Sequence, residues 1–275
     1  MAASYIVALL ATGIGVGFAQ GLLGVGGCFI MVPVMIIVFS HMGVPLDTAV
    51  KLAFGTNLLV VVPTAISGSL AHHRKGAVWW KAGLTLGITV AIGALVGSTI
   101  TSQFISGKVI KVIFGLVILA GALRMLTAKP PRVEEEPTES PLLWALWGFP
   151  LGIVSGLIGI GGGVLMVPVM TIFLRFQMHR AVGTSTAMMI FSGLGGTIGY
   201  ILNGLHAPGL PPHSIGYFNL TAWLCLAVTS VIMAQLGART AHLLPAKKLK
   251  VIFVLVMIYM AFKMIGVFGW LHLPI

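Results

Sequence analysis

Two stretches of the chain carry residue types whose spacing could do chemistry. "GLLGVGGCFIMVPVM" begins at Gly21, and a near copy, "GLIGIGGGVLMVPVM", begins at Gly156. Glycine has no Cβ, accepts positive φ and lets a ligand touch the backbone. Each phrase is followed by an apolar run that reads as a restarting helix. Such a helix points unpaired N–H groups and its positive dipole end at whatever lies before it, which suits an anion. The candidate ligand-facing positions are therefore Gly24, Gly26, Gly27 and Cys28 in the first copy, and Gly159, Gly161, Gly162 and Gly163 in the second. Gln20 and Ser155 occupy equivalent places just before the phrases. A second doubled motif, "GTN" at Gly55 and "GTS" at Gly183, adds Thr56, Asn57, Thr184 and Ser185 as small amide and hydroxyl groups near the site. Asn57 stands out, because an amide in an apolar run is costly unless it is used. The alternative for the hydroxyls is back-bonding to their own helix.

Other chemistries lack their residues. Cys28 and Cys225 lie in separate runs without a CxxC pair, so neither a disulfide framework nor a metal site is expected. No cofactor motif is present: the glycine phrases follow no strand of a βαβ unit, and no GxxxxGK[ST] occurs. Asp47 is the only carboxylate outside one Glu-rich stretch and reads as a helix cap. A proton relay of buried Asp or Glu is therefore not expected, and no nucleophile–base pair marks an enzyme.

The elements that position these residues are membrane helices. Hydrophobic residues make up 58% of the 275, charged residues only 8%, and mean hydropathy is +1.07. A soluble domain carries about a quarter charged residues, so this chain needs lipid to cover its surface. The apolar runs at 52–70, 82–101, 109–126, 182–202, 220–236 and 249–270 have roughly the length of a membrane span. Two pairs of shorter runs, 4–20 with 28–40 and 142–155 with 163–174, flank the glycine phrases. Pro33 and Pro168 shorten or kink the second run of each pair. The first run lacks a basic leader and reads as membrane sequence rather than a signal peptide.

The halves repeat. The phrases lie 135 positions apart (156 − 21), and "KVIFGLVILAGALRM" at Lys111 resembles "KVIFVLVMIYMAFKM" at Lys250. The expected organisation is a first membrane repeat at 1–127, a Pro/Glu-rich cytoplasmic linker at 128–141 ("AKPPRVEEEPTES" from Ala128) and a second repeat at 142–275. Each repeat holds three full spans and one broken or re-entrant pair, an odd count, so the second copy is inverted in the membrane. The fold class is thus an all-α polytopic membrane protein of two inverted-topology repeats.

The net charge of +11 does not imply a nucleic-acid partner, because the basic residues sit at the ends of the apolar runs. Walking the loops puts twelve Lys and Arg on one side and three, Lys51, Lys108 and Lys111, on the other. The richer side is cytoplasmic, so both termini face outward. Lys51 and Arg180 read as snorkelling interface residues, and His72 and His73, beside Arg74 and Lys75, as a solvated loop. Gly17/Gly21, Gly83/Gly87, Gly93/Gly97, Gly152/Gly156, Gly159/Gly163 and Gly195/Gly199 fit the small-xxx-small spacing of closely packed helices.

With the doubled glycine phrase, "FGTNL" and "VGTST" in view, the chain resembles the TauE/SafE family of sulfite and organosulfonate transporters over nearly its whole length. The resemblance implies a secondary transporter of a small sulfur-containing anion, such as sulfite, thiosulfate or sulfoacetate, in the bacterial inner membrane. The partners expected are that anion, the lipid bilayer and, as an open alternative, a second copy in a homodimer. The functional alternatives are an anion channel and a membrane enzyme acting on a sulfur compound. One departure is Cys28, which stands where the second copy has a third consecutive glycine.

Overall fold

The computed structural model describes residues 3–24, 27–106 and 139–267, with scattered helical positions between 107 and 138. The described elements are helices α1 (Ala3–Leu23), α2 (Cys28–His41), α3 (Leu46–His73), α4 (Trp80–Phe104), α5 (Pro141–Ile158), α6 (Gly163–Ile172), α7 (Met178–Gly204), α8 (Leu220–Leu243) and α9 (Ala246–Ile265). Among the described residues, α1, α3, α4, α5, α7 and α8 are long and apolar enough to cross a membrane. Most of the expected span at 109–126 and the linker at 128–138 lie outside the described residues, as does the end of the last span beyond 267.

The broken pairs differ from the sequence reading in one respect. Their first members are full-length: α1 has 21 residues and α5 has 18. Only the second members are short, α2 with 14 residues and α6 with 10. Pro33 and Pro168 lie inside these short helices. The helices run further into the glycine phrases than expected, so the breaks are confined to 24–27 and 159–162. Gly21 and Gly156 remain helical because each presses its Cα against a neighbouring backbone. A methyl at Gly21 would collide with the carbonyl of Ala234, and one at Gly156 with that of Ala94.

That close approach is general. Along α1, Gly13, Gly17 and Gly21 lie against Leu226, Ser230 and Ala234 of α8. Along α5, Gly148, Gly152 and Gly156 lie against Leu86, Val90 and Ala94 of α4. In both pairs the numbers rise together, so the helices are parallel. In lipid, association rests on such van der Waals contact, because there is no apolar surface to hide from water. The small-xxx-small pairs Gly17/Gly21, Gly93/Gly97, Gly152/Gly156 and Gly195/Gly199 all serve this packing.

Helices α3 and α7 form the centre. Leu58 of α3 meets Gly193 and Gly196 of α7, while Gly68 meets Thr186, so the two run antiparallel. Helix α4 packs on α5 and α7, and α8 packs on α1 and α3. The outer faces carry apolar stripes at helical spacing: Leu84, Ile88, Ile92 and Leu95 on α4, and Leu224, Val228, Ile232 and Leu236 on α8. Water would penalise those stripes and lipid does not. The chain is a multi-pass membrane protein.

Candidate functional site

The two breaks meet near the middle of the α3–α7 pair. Gly163, the first residue of α6, lies so close to Gly24 that a methyl there would overlap the Gly24 carbonyl oxygen, with Met189 Sδ 2.6 Å away. Gly161 faces Val61, whose Cγ1 would lie 3.2 Å from an added methyl. The backbone turns with positive φ at Gly24 (67°) and Gly27 (59°) in one break and at Gly159 (62°), Gly161 (80°) and Gly162 (87°) in the other. A side chain at these positions would be strained even where space exists. Gly162 is the clearest case, since an added methyl would meet only the mobile end of Met188 at 3.3 Å and Ser155 Oγ at 3.5 Å. Gly27 and Gly162 are the N-caps of α2 and α6, and no side chain caps either helix.

Each break lies against the other half's GT motif, and the second is bonded to it. Asn57 Nδ2 donates to the Gly159 carbonyl, and Phe54 packs on the same glycine. In the other half, Ser185 Oγ and Val182 O would lie 2.8 and 2.9 Å from a methyl at Gly24. Ser185 Oγ donates to Val182 O at 2.9 Å, the back-bonding alternative. Thr56 and Thr184 accept from the backbone N–H groups of Asn219 and Trp79, both at 3.0 Å. Asn219 and Trp79 are the N-caps of α8 and α4. These hydroxyls thus pin the start of a helix in the opposite half. Gln20 Nε2 donates to Val61 O at 3.4 Å, and Ser155 shares a 3.0 Å hydrogen bond with Ser192. Cys28 is buried and forms no disulfide. Gly26 lies outside the described residues.

Gln20, Thr56, Asn57, Thr184 and Ser185 are all fully buried. Carbonyl oxygens only accept, so the bonds to Val61 O and Gly159 O fix both amides with nitrogen inward. Gln20 Oε1 and Asn57 Oδ1 are left buried without a protein partner. Val61 is one helical turn beyond Asn57 and faces Gly161, so the Gln20 amide reaches the stretch of α3 that lies beside the second break. Among the described residues, no group of three His, Cys, Asp or Glu is placed to hold a metal ion.

Other participants escaped the motif reading. The Gly21 carbonyl accepts from His72 Nε2 at 2.9 Å, and the Gly156 carbonyl accepts from Tyr200 OH at 3.0 Å. His72 and Tyr200 are 128 positions apart, as are Thr56 and Thr184. The shared offset was the available signal. His72 is fully buried and is not the solvated loop residue expected from "HHRK", because α3 continues through His73 before the chain turns. Lys51 is bound to Asp47 at 2.7 Å and sits 5.9 Å from the centroid of the Tyr217 ring, so it is engaged at the start of α3. Asp47 lies in the first turn of α3, with Pro45 at the cap position expected for it.

With that geometry in place, the comparisons with known proteins become informative. A family model described as the sulfite exporter TauE/SafE matches residues 9–264. The chain belongs to the TauE/SafE family. A probable membrane transporter protein of Methanocaldococcus jannaschii is 28% identical over 245 residues, covering 88% of this chain and 89% of that one. One from Haemophilus influenzae is 28% identical over 95% of this chain and 98% of its own length. One from Xylella fastidiosa is 34% identical over 69% and 72% respectively. No solved structure matches the chain. The TauE/SafE match spans both glycine breaks and both GT motifs, so the arrangement described here lies inside the family region.

Proposed function

We propose that this TauE/SafE protein is a secondary transporter that carries a small sulfur-containing anion across the bacterial inner membrane. The carrying observation is the meeting of the two glycine breaks at the centre of the α3–α7 pair, where α6 starts from Gly162 with no side-chain cap and its first residue lies against Gly24 of the other break. Helix starts of this kind offer backbone N–H donors and a positive dipole end to an anion. The buried, partnerless Gln20 Oε1 and Asn57 Oδ1 are the second support, since a buried acceptor costs about 1–3 kcal/mol unless water or a ligand reaches it. A hydrated or protonated oxyanion supplies both kinds of partner.

The mechanism proposed is alternating access of two inverted repeats. Equivalent helices α3 and α7 run antiparallel, and each break lies against the GT motif of the other half, bonded to it at Gly159 through Asn57. Rocking one half against the other would therefore move the two breaks relative to one another and open the site to one side at a time. No charged side chain is needed at the centre. A channel would have to keep a continuous wet path, whereas the break residues described here are buried.

The test compares Gly162→Ala with Gly152→Ala. Gly162 has room for a methyl but the wrong φ and a place in the site; Gly152 is a packing glycine against Val90. In purified protein, binding of sulfite, thiosulfate, sulfoacetate and taurine is measured together with Tm. Gly162→Ala is expected to lose tenfold or more in affinity, beyond any loss of folded protein. Gly152→Ala is expected to lower Tm first. Normal affinity in folded Gly162→Ala protein would place the ligand elsewhere.

A further inference from the structure

At the Gly21 end of the first break three histidines from three helices come together. His72 ends α3, His179 begins α7 and His242 ends α8. His72 Nδ1 and His242 Nε2 are 3.0 Å apart, and His72 Nε2 is 2.9 Å from the Gly21 carbonyl. The ring of His179 stacks on that of His242, with centroids 5.6 Å apart. His179 Nε2 lies 3.2 Å from both Ala241 O and Leu244 O. His72 is fully buried, while His179 and His242 are half-exposed.

We propose that the His72–His242 pair, with His179 stacked on it at His242, forms a one-proton binding site that couples proton movement to anion transport. The inference rests on the transport reading above and adds the coupling ion to it.

The hydrogen bonds assign the protons. A carbonyl accepts, so His72 Nε2 carries hydrogen and its Nδ1 is a lone pair in the neutral ring. That lone pair takes the hydrogen of His242 Nε2. The open nitrogen is then His242 Nδ1, on the half-exposed ring. A proton arriving from solvent binds there and makes His242 an imidazolium without breaking any bond. The charge stays on the half-exposed ring, where burial opposes it least, and polarises the shared hydrogen toward His72 Nδ1, which strengthens the bond from His72 Nε2 to Gly21 O. Charge-assisted bonds of this kind are shorter and stronger, so the proton tightens the end of α1 just before the break. A second proton on the His72–His242 pair is disfavoured, because it would put two like charges on rings whose nitrogens are 3.0 Å apart.

Among the described residues, no carboxylate faces this charge. From the α3–α4 turn His242 is faced by Lys75, and from α7 by His179. His73, next to His72, instead accepts from Trp80 Nε1 at 3.0 Å. Helix α1 contributes only the Gly21 carbonyl. The described carboxylates are Asp47, paired with Lys51 at the opposite end of α3, and Glu139; neither acts on the cluster. The counter-charge proposed is the transported anion at the breaks, next to the Gly21 carbonyl that His72 holds. Proton and anion therefore favour each other's binding, and the favour is reciprocal by linkage. This supplies coupling in a membrane interior with no described carboxylate.

The experiment uses the full chain in proteoliposomes with methanesulfonate, a sulfonate that does not titrate near neutrality, and a trapped pH indicator. An inward proton gradient is expected to speed wild-type methanesulfonate uptake fivefold or more and to bring protons with it. His242→Gln, whose amide can still donate to His72, and His72→Gln are expected to lose the response to the gradient. His206→Gln, exposed and outside the cluster, is expected to keep it. A gradient response in folded His242→Gln equal to wild type overturns the proposal. If wild-type protein moves no methanesulfonate under any gradient, the transport reading fails for this anion. Histidine ¹⁵N NMR of the solubilised protein then decides the proton site separately. A single shared titration of His72 and His242, lost in His242→Gln, supports it; independent titration of the two rings refutes it.

Discussion

At the scale of single residues, Asn57 is the side chain that ties the halves together at the site. Its nitrogen satisfies the Gly159 carbonyl, a group released from helix bonding by the break itself. Asn57→Ala leaves that carbonyl buried without a donor and should cost about 1–3 kcal/mol. Asn57→Asp should be worse for binding, because a carboxylate repels both the carbonyl and an incoming anion. The expected order of methanesulfonate affinity is wild type, then Ala, then Asp, measured on protein whose Tm is recorded alongside. Asp binding as well as wild type would remove Asn57 from the site. Thr56 and Thr184 make a sharper pair, since each hydroxyl accepts from the N-cap amide of a helix in the other half. Thr56→Val and Thr184→Val should each cost about 1–3 kcal/mol of stability. If the two halves are equivalent, the costs should match within about 1 kcal/mol in denaturation of the solubilised protein.

At the scale of elements, the glycines on one helix separate into two roles by face. On α1, Gly17 abuts the Ser230 backbone, whereas Gly15 has nothing within 4 Å. Gly17→Ala must push α1 from α8 and should cost about 1–3 kcal/mol, as overpacking does. Gly15→Ala should be neutral or stabilising by up to about 1 kcal/mol, since alanine is the better helix former. Equal Tm values for the two variants would contradict the packing described. The same separation explains how far the sequence could be read. The doubled phrase, the GTN/GTS pair and the small-xxx-small stripes are local patterns, so neighbouring residues are enough to reveal them. The exact break was less legible. Whether Gly21 is a turn or a packing residue depends on Ala234, more than 200 positions away, and nothing local reports that contact. His72 was misread for the same reason. "HHRK" looks solvated until His242 and Gly21 are brought against it by helix packing. Asn219 and Ser192 were invisible as partners because their bonding groups in other helices have no sequence signature.

At the scale of the whole molecule, side-chain contacts sort the helix ends into two faces. One face gathers His72, His179, His242 and Leu244, and with them the basic residues Arg74, Lys75, Arg180, Arg239 and Lys247. Helix α4 starts at this face, just after the Lys75 turn, and α5 runs parallel to it, so Glu139 lies here too. The opposite face holds the stacked rings of Tyr5 and His41, the Asp47–Lys51 pair and the loop with Tyr217. Basic residues crowd the first face, and cytoplasmic loops carry such an excess because they are the ones not moved across the membrane during insertion. The assignment can be checked with single cysteines at exposed positions, in protein whose Cys28 and Cys225 background is recorded as a blank. Lys75→Cys and Glu139→Cys should react with a membrane-impermeant maleimide only after the cells are permeabilised. His41→Cys and Pro212→Cys should react in intact cells. The four positions come from both halves, two to each face, so they test the inversion as well as the orientation. A rigid flip of the whole protein would exchange the two pairs. Labelling that instead grouped Lys75 with Pro212, in the loops that follow the equivalent helices α3 and α7, would mean that the halves are not inverted. The two glycine breaks could then not meet from opposite directions.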